Sequence, residues 1–195
     1  MMIMQKTILG LVLMSLSASA FGQQQADLNF VPSQSTVTFT LGDVLHTVHG
    51  CFQVKHGQIL FSPESDAISG EIVVDAGSGD SGNGSRDRKM NKQVLESAKY
   101  PEITFRPDHV EGKVAESGSS VVQVHGMFGI HGSEHEITVP AHVEFSTDHW
   151  AMSAHFVVPY VKWGLKDPST FVLRVEKTVS IDLQASGDKP WADQR

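Results

Sequence analysis

The chain has 195 residues, of which 40% are hydrophobic and 19% charged. That composition excludes wholesale disorder and leaves room for one domain plus a targeting segment. The formal net charge is −7 with histidine neutral, and there is no dense lysine or arginine run. A nucleic-acid role is therefore disfavoured, because phosphate binding needs a basic surface.

The first 20 residues differ from the rest. Lys6 is their only charge, Ile8 to Leu16 is an apolar run, and Ala18-Ser19-Ala20 has the small-x-small pattern of a cleavage site. This layout predicts a secretory signal peptide over residues 1–20, with cleavage after Gly22 as an alternative. The apolar run is too short to span a bilayer, which takes about 20 residues. No second long apolar run follows, so the chain is not expected to be an integral membrane protein. The expected location is periplasmic or secreted.

From residue 30 onward the strongest signal is a hydrophobic period of two, which marks strands with one buried face. Val37, Phe39 and Leu41 alternate with threonines. Val44, Val48, Phe52 and Val54 share a face of the next run, which also holds the only cysteine, Cys51. A lone cysteine forms no internal disulfide, and Cys51 is read as a small buried residue rather than a reactive thiol. Ile68, Ile72 and Val74 follow on one face with Gly70. Asn83, Arg86 and Asp87 then open a helix expected over Ser85 to Ala98, with Ser85 as a candidate cap and Met90, Val94 and Leu95 at helical spacing. Tyr100-Pro101 ends it, since a residue before proline avoids helical angles. Four more alternating sets follow: Val122 to Ile130, Ile137 to Phe145, Trp150 to Val158, and Val179 to Leu183. Short breaks rich in Gly, Ser, Asp and Pro join these runs, as in a meander of antiparallel hairpins. The fold class read from this is all-β, about eight antiparallel strands with one short helical insertion. Pattern alone does not choose between a sandwich and a closed barrel.

Ten histidines raise the question of a metal. The tightest pairs, His46-x-x-His49 and His131-x-x-x-His135, have odd or turn-crossing spacing, whereas only even spacings share a strand face. No metal site is expected. Nor is there a Gly-x-Ser-x-Gly elbow or another nucleophile motif, so the chain is read as a non-enzyme with no catalytic residues.

Several fragments together resemble the YceI-like family. They are Arg86-Asp87-Arg88-Lys89-Met90, the run Val94-Leu95-Glu96-Ser97-Ala98-Lys99-Tyr100-Pro101-Glu102-Ile103-Thr104-Phe105, and His131-Gly132 within Phe128 to Pro140. Val48-His49-Gly50, the Ser35 to Leu41 strand and Trp163-Gly164-Leu165-Lys166-Asp167-Pro168-Ser169 fit as well. Asn91, where close relatives often carry His, and Cys51 depart from the pattern. The resemblance covers roughly residues 27–185. It implies a lipocalin-like eight-stranded antiparallel β-barrel whose interior holds a polyisoprenoid, an isoprenoid quinone or a fatty-acid-like amphiphile. It implies no catalytic cofactor, and a homodimer stays open.

A lipid tail needs a dry apolar cavity, because each buried CH₂ contributes about 0.8 kcal/mol. The candidate lining residues are Phe39, Leu41, Val48, Phe52, Ile72, Phe105, Val124, Phe128, Val143, Phe145, Trp150, Met152, Phe156 and Trp163. Gly50, Gly70 and Gly126 are expected to leave room between them. Arg86 is the candidate contact for a headgroup oxygen, or else a tie for the loop before the helix. The alternatives to a carrier are a filled structural module of the envelope and an enzyme that uses the same cavity.

Overall fold

Nine antiparallel strands and one short helix make up the computed structural model, which describes residues 25–43, 46–62, 65–171 and 174–190. The expected signal peptide and Val44 lie outside the described residues. The strands are β1 (Ala26–Phe30), β2 (Ser35–Gly42), β3 (Thr47–Phe61), β4 (Ile68–Asp80), β5 (Glu102–Glu111), β6 (Gly118–Ile130), β7 (Ser133–Phe145), β8 (His149–Val158) and β9 (Val179–Asp188). β2 to β9 pair in sequence, and β9 pairs back onto β2, with Ser35 opposite Ala185 and Thr40 opposite Ser180. The eight strands therefore close into a barrel, which leaves no free edge in the ring. Closure decides between barrel and sandwich, the choice the pattern left open.

β1 is a ninth strand outside the ring. β2 pairs with the first half of β3, with Val37 opposite Phe52 and Gly42 opposite Thr47. β1 pairs with its second half, with Ala26 opposite Phe61 and Phe30 opposite Gly57. A single 3-10 turn at Pro32–Gln34 separates the two. Ala26, Leu28 and Phe30 are buried while Asn29 is exposed, so β1 obeys the same period of two.

Bulges reset that period elsewhere. In β3 the inward set changes from even numbers, ending at Val54, to Gly57, Ile59 and Phe61, across an irregularity between Val54 and His56. In β5 it changes from Phe105 to Val110, across a bulge between Pro107 and His109. One extra residue moves every later side chain to the other face.

Three expectations about local structure are corrected. Cys51 is exposed, not buried. It sits at an odd position in the even-inward half of β3, so the pleat turns it outward. The helix is capped by Asn83, not Ser85: the Asn83 carboxamide oxygen accepts from the backbone N–H of Ser85 and Arg86 at 3.1 and 3.2 Å. α1 (Gly84–Lys89) widens into a single π turn over Met90–Val94 and stops at Leu95, short of Ala98. Glu96 takes a left-handed φ of 48°, which no helix continues.

Candidate ligand cavity

The buried side chains form two clusters at the two ends of the barrel. One holds Phe30, Phe61, Val110, Val122, Phe145 and Trp150. The other holds Leu95, Phe128, Ile130, Val158, Tyr160 and Leu165, beneath the helix and the segment over residues 159–178 that crosses the same end. A cavity of about 580 Å³ runs between them and touches residues of both clusters. That volume lies within the usual range for small-molecule sites, about 300–1,000 Å³.

Twelve of the residues expected from the sequence line this cavity: Phe39, Leu41, Val48, Phe52, Ile72, Arg86, Phe105, Val124, Phe128, Val143, Met152 and Phe156. Three do not. Phe145 and Trp150 are fully buried below it, where Phe145 stands 6.1 Å from the Phe61 ring and Trp150 stands 5.4 Å from the Phe30 ring. These four aromatics close the end of the barrel that β1 covers. Trp163 lies instead against the outer side of the other cluster, stacked on the His135 imidazole at 4.2 Å and 5.6 Å from the Phe128 ring. Bulky aromatic character suits a lining, but packing uses the same side chains as plugs.

The glycines also differ from expectation, since none of the three borders the cavity. A Cβ at Gly50 would meet the Phe39 ring at 2.4 Å, and one at Gly126 would meet the Arg106 carbonyl oxygen at 2.4 Å beside the β5 bulge. These positions admit close approach of neighbours rather than ligand. Gly70 adopts a φ of +117°, which side chains rarely tolerate.

Sequence reasoning missed the walls given by Leu28, Phe30, Ile59, Phe61 and Val110, and the lid given by Tyr160, Leu165, Pro168 and Val175. Alternation was present in Ala26-x-Leu28-x-Phe30 and Gly57-x-Ile59-x-Phe61. The parity change at the bulges hid that the latter continues the wall of β3. Tyr160 anchors the crossing segment: its hydroxyl donates to the Glu176 carbonyl oxygen at 2.6 Å, and burial pushes its pKa up to about 12. It stays a neutral donor at any physiological pH.

Polarity is confined to one end. Asp43, Ser81, Ser85, Arg86, Lys89, Thr104 and Tyr160 are the polar side chains on the lining, and all belong to the helix end. Ser85 and Arg86 are the exposed lining residues, so the cavity meets solvent there. The Arg86 guanidinium donates to the Ser81 hydroxyl at 2.7 Å and to the Ser81 carbonyl oxygen at 2.8 Å. Asp87 accepts from the Ser81 backbone N–H at 3.0 Å. Arg86 thus ties down the loop and also faces the mouth. The Lys89 ammonium donates to the Pro168 carbonyl oxygen at 3.1 Å, which joins helix and crossing segment over the opening.

The histidines go to separate tasks. His49 Nδ1 lies 3.1 Å from the Thr40 hydroxyl, His131 pairs with Glu96 at 2.6 Å, and His135 stacks on Trp163. Among the described residues no cluster of three His, Cys, Asp or Glu side chains is arranged to hold a metal. No described helix is long and apolar enough to cross a membrane.

Three solved structures share this architecture. Burkholderia cenocepacia BcnA matches with a TM-score of 0.64 at 18% identity, over 81% of this chain and 99% of that one. A polyisoprenoid binding domain from Saccharophagus degradans, implicated in plant cell wall breakdown, matches at 0.63 and 17% identity, over 86% and 100%. The Campylobacter jejuni YCEI protein matches at 0.56 and 14% identity, over 94% and 93%. Among curated proteins none matches the chain in sequence. The family model of the YceI-like domain matches residues 28–186, and with the closed barrel around an apolar cavity this makes the chain a member of the YceI-like family.

Proposed function

We propose that the protein binds a long-chain isoprenoid or fatty-acid-like amphiphile in the cell envelope, as a carrier or a sequestering protein and not as an enzyme. One observation carries this reading: the cavity is apolar along its length and polar only where it opens, beside Arg86 and Lys89. Such a gradient sets the orientation of an amphiphile. The tail lies toward Phe30 and Phe61, where every buried methylene leaves water. The headgroup stays at the mouth, where guanidinium and ammonium donors suit an oxygen-bearing group. An isoprenoid quinone, with its carbonyl oxygens, satisfies the same pattern. The polyisoprenoid-binding neighbour from Saccharophagus degradans supports the tail chemistry. The apolar run Ile8 to Leu16 and the Ala18-x-Ala20 pattern support export to the periplasm or beyond.

The test combines ligand discovery with a blocking variant. Organic extraction and native mass spectrometry of protein recovered from its own host should show a bound amphiphile. Val124→Phe, which places a ring inside the cavity, should lower uptake of a fluorescent polyprenyl analogue by tenfold or more, about 1.4 kcal/mol of binding. An empty protein that takes up neither prenyl nor acyl analogues would remove the carrier reading and favour a structural module.

A further inference from the structure

The mouth lies in a patch whose charge opposes that of the molecule. Eight of the chain's 15 lysines and arginines fall in the helical insertion and the crossing segment: Arg86, Arg88, Lys89, Lys92, Lys162, Lys166, Arg174 and Lys177. Within the two segments only Asp87, Asp167 and Glu176 oppose them, while Asp43, Asp80 and Glu96 lie on the adjoining strand ends and turn. The two segments are physically joined, by Lys89 to Pro168 and by the Lys166 ammonium donating to the Gln93 side-chain oxygen at 3.3 Å. Every one of the eight except Lys89 is exposed, and among the described residues none is in an ion pair. On the barrel wall, by contrast, Lys55 and Arg106 are paired with Glu102, Glu71 and Glu134. The rim of the opposite end carries Asp66, Glu111, Glu116, Asp148 and Asp188 against Lys113 and Lys189. The crossing segment also carries one fully exposed aromatic side chain, Phe171, three residues after the mouth-lining Pro168 and four before Val175 in the chain.

We propose that this basic face, together with the exposed Phe171, docks the protein on an anionic lipid bilayer so that the cavity mouth opens toward the membrane. The inference rests on the reading of the cavity as a lipid site. Unpaired cations that protrude from a protein of net charge −7 are attracted to anionic headgroups, while the acidic opposite end is repelled. An exposed ring beside cations gains free energy by entering the headgroup–acyl boundary, as on interfacial helices. Among the described residues the cations crowd the end of the barrel where the cavity lining is polar and exposed, where a tail would enter or leave without crossing water.

The experiment is co-sedimentation of the full chain with phosphatidylglycerol-rich vesicles and with phosphatidylcholine vesicles. The N-terminal run carries Lys6 and adds an anionic attraction of its own, so the readout is the anionic preference that variants of the docking face remove. That preference should be clear at low salt and fade as salt rises. Lys92→Gln and Lys166→Gln should each weaken binding to the anionic vesicles about fivefold, and Phe171→Ser by about tenfold or more. None of these residues lines the cavity, so uptake of the polyprenyl analogue in vesicle-free buffer should stay at the parent level, which also certifies folding. Equal binding to the two vesicle types, or an anionic preference untouched by all three variants, overturns the docking proposal. Anionic docking by a parent chain that takes up no analogue would uphold the surface and overturn the lipid cavity instead.

Discussion

The two ends of the barrel are built from similar strands yet resolved in opposite ways. At the end covered by β1, four aromatics pack in two tilted pairs and nothing polar reaches the cavity. At the helix end, the strands hand over to loops held by side-chain hydrogen bonds, from Asn83, Arg86, Asp87, Lys89 and Tyr160. The difference teaches where stability and access are located. Dispersion and burial close the aromatic end densely and without direction, whereas the loops over the second cluster are held by bonds worth about 1 kcal/mol each. One end suits a floor and the other an opening.

The sharpest way to break this comparison is at the floor. Trp150→Ala should lower stability by about 3–5 kcal/mol, read from the urea midpoint of delipidated protein. Delipidation matters because bound ligand adds stability of its own. A loss under about 1 kcal/mol would mean that the floor is not the packed end. Next in size is Phe145→Trp. The ring lies below the cavity within the packed plug, so the extra atoms should overpack it at a cost of about 1–3 kcal/mol. Analogue uptake should change little. If uptake falls and the urea midpoint holds, the cavity reaches deeper than Phe61.

At the other end the effects should be smaller and local. Asn83→Ala removes the cap and should cost about 1 kcal/mol. Hydrogen exchange should quicken in the amides of Gly84–Val94 and leave β6 and β7 unchanged. Exchange that quickens throughout the barrel would show that the helix is part of the core rather than a lid.

The smallest effect belongs to neither end. His125, on the outer wall, lies 2.7 Å from Asp108 and 3.0 Å from Glu136. Its hydrogen bond to Asp108 and the nearby carboxylates raise its pKa above the ordinary histidine value. Charged imidazole is thus favoured in the folded state. That stabilisation is complete below the ordinary value and is lost as pH rises through the raised one. Replacing His125 with Gln should flatten stability against pH over that window and leave it unchanged well above. A parent whose stability rises with pH across the window would contradict the assignment.

Legibility from the sequence followed the pleat. Where alternation ran unbroken, as in Ile137 to Phe145, side-chain direction was correct throughout. Where a bulge changed parity, in β3 and β5, half of each strand's inward set was lost to view. β1 went unrecognised as a strand because its alternation, Ala26-x-Leu28-x-Phe30, spans only five residues beside the Pro32 turn. The headgroup candidate Arg86 was found through a motif, but Lys89 as its neighbour on the mouth depends on Pro168, which is 79 residues away.

The sequence by itself determined the all-β class, the helical insertion, the family and twelve of the residues on the cavity wall. These follow from local periodicity and short motifs, which need no knowledge of distant neighbours. Only the tertiary structure decided that the barrel closes, that Phe145 and Trp150 plug while Phe128 and Phe156 line, and that two basic segments meet around one mouth. The physical reason is that closure, packing and charge clustering depend on pairs of residues far apart in the chain. A side chain's chemistry states what it can bury or bind, and its neighbours determine which of these it does.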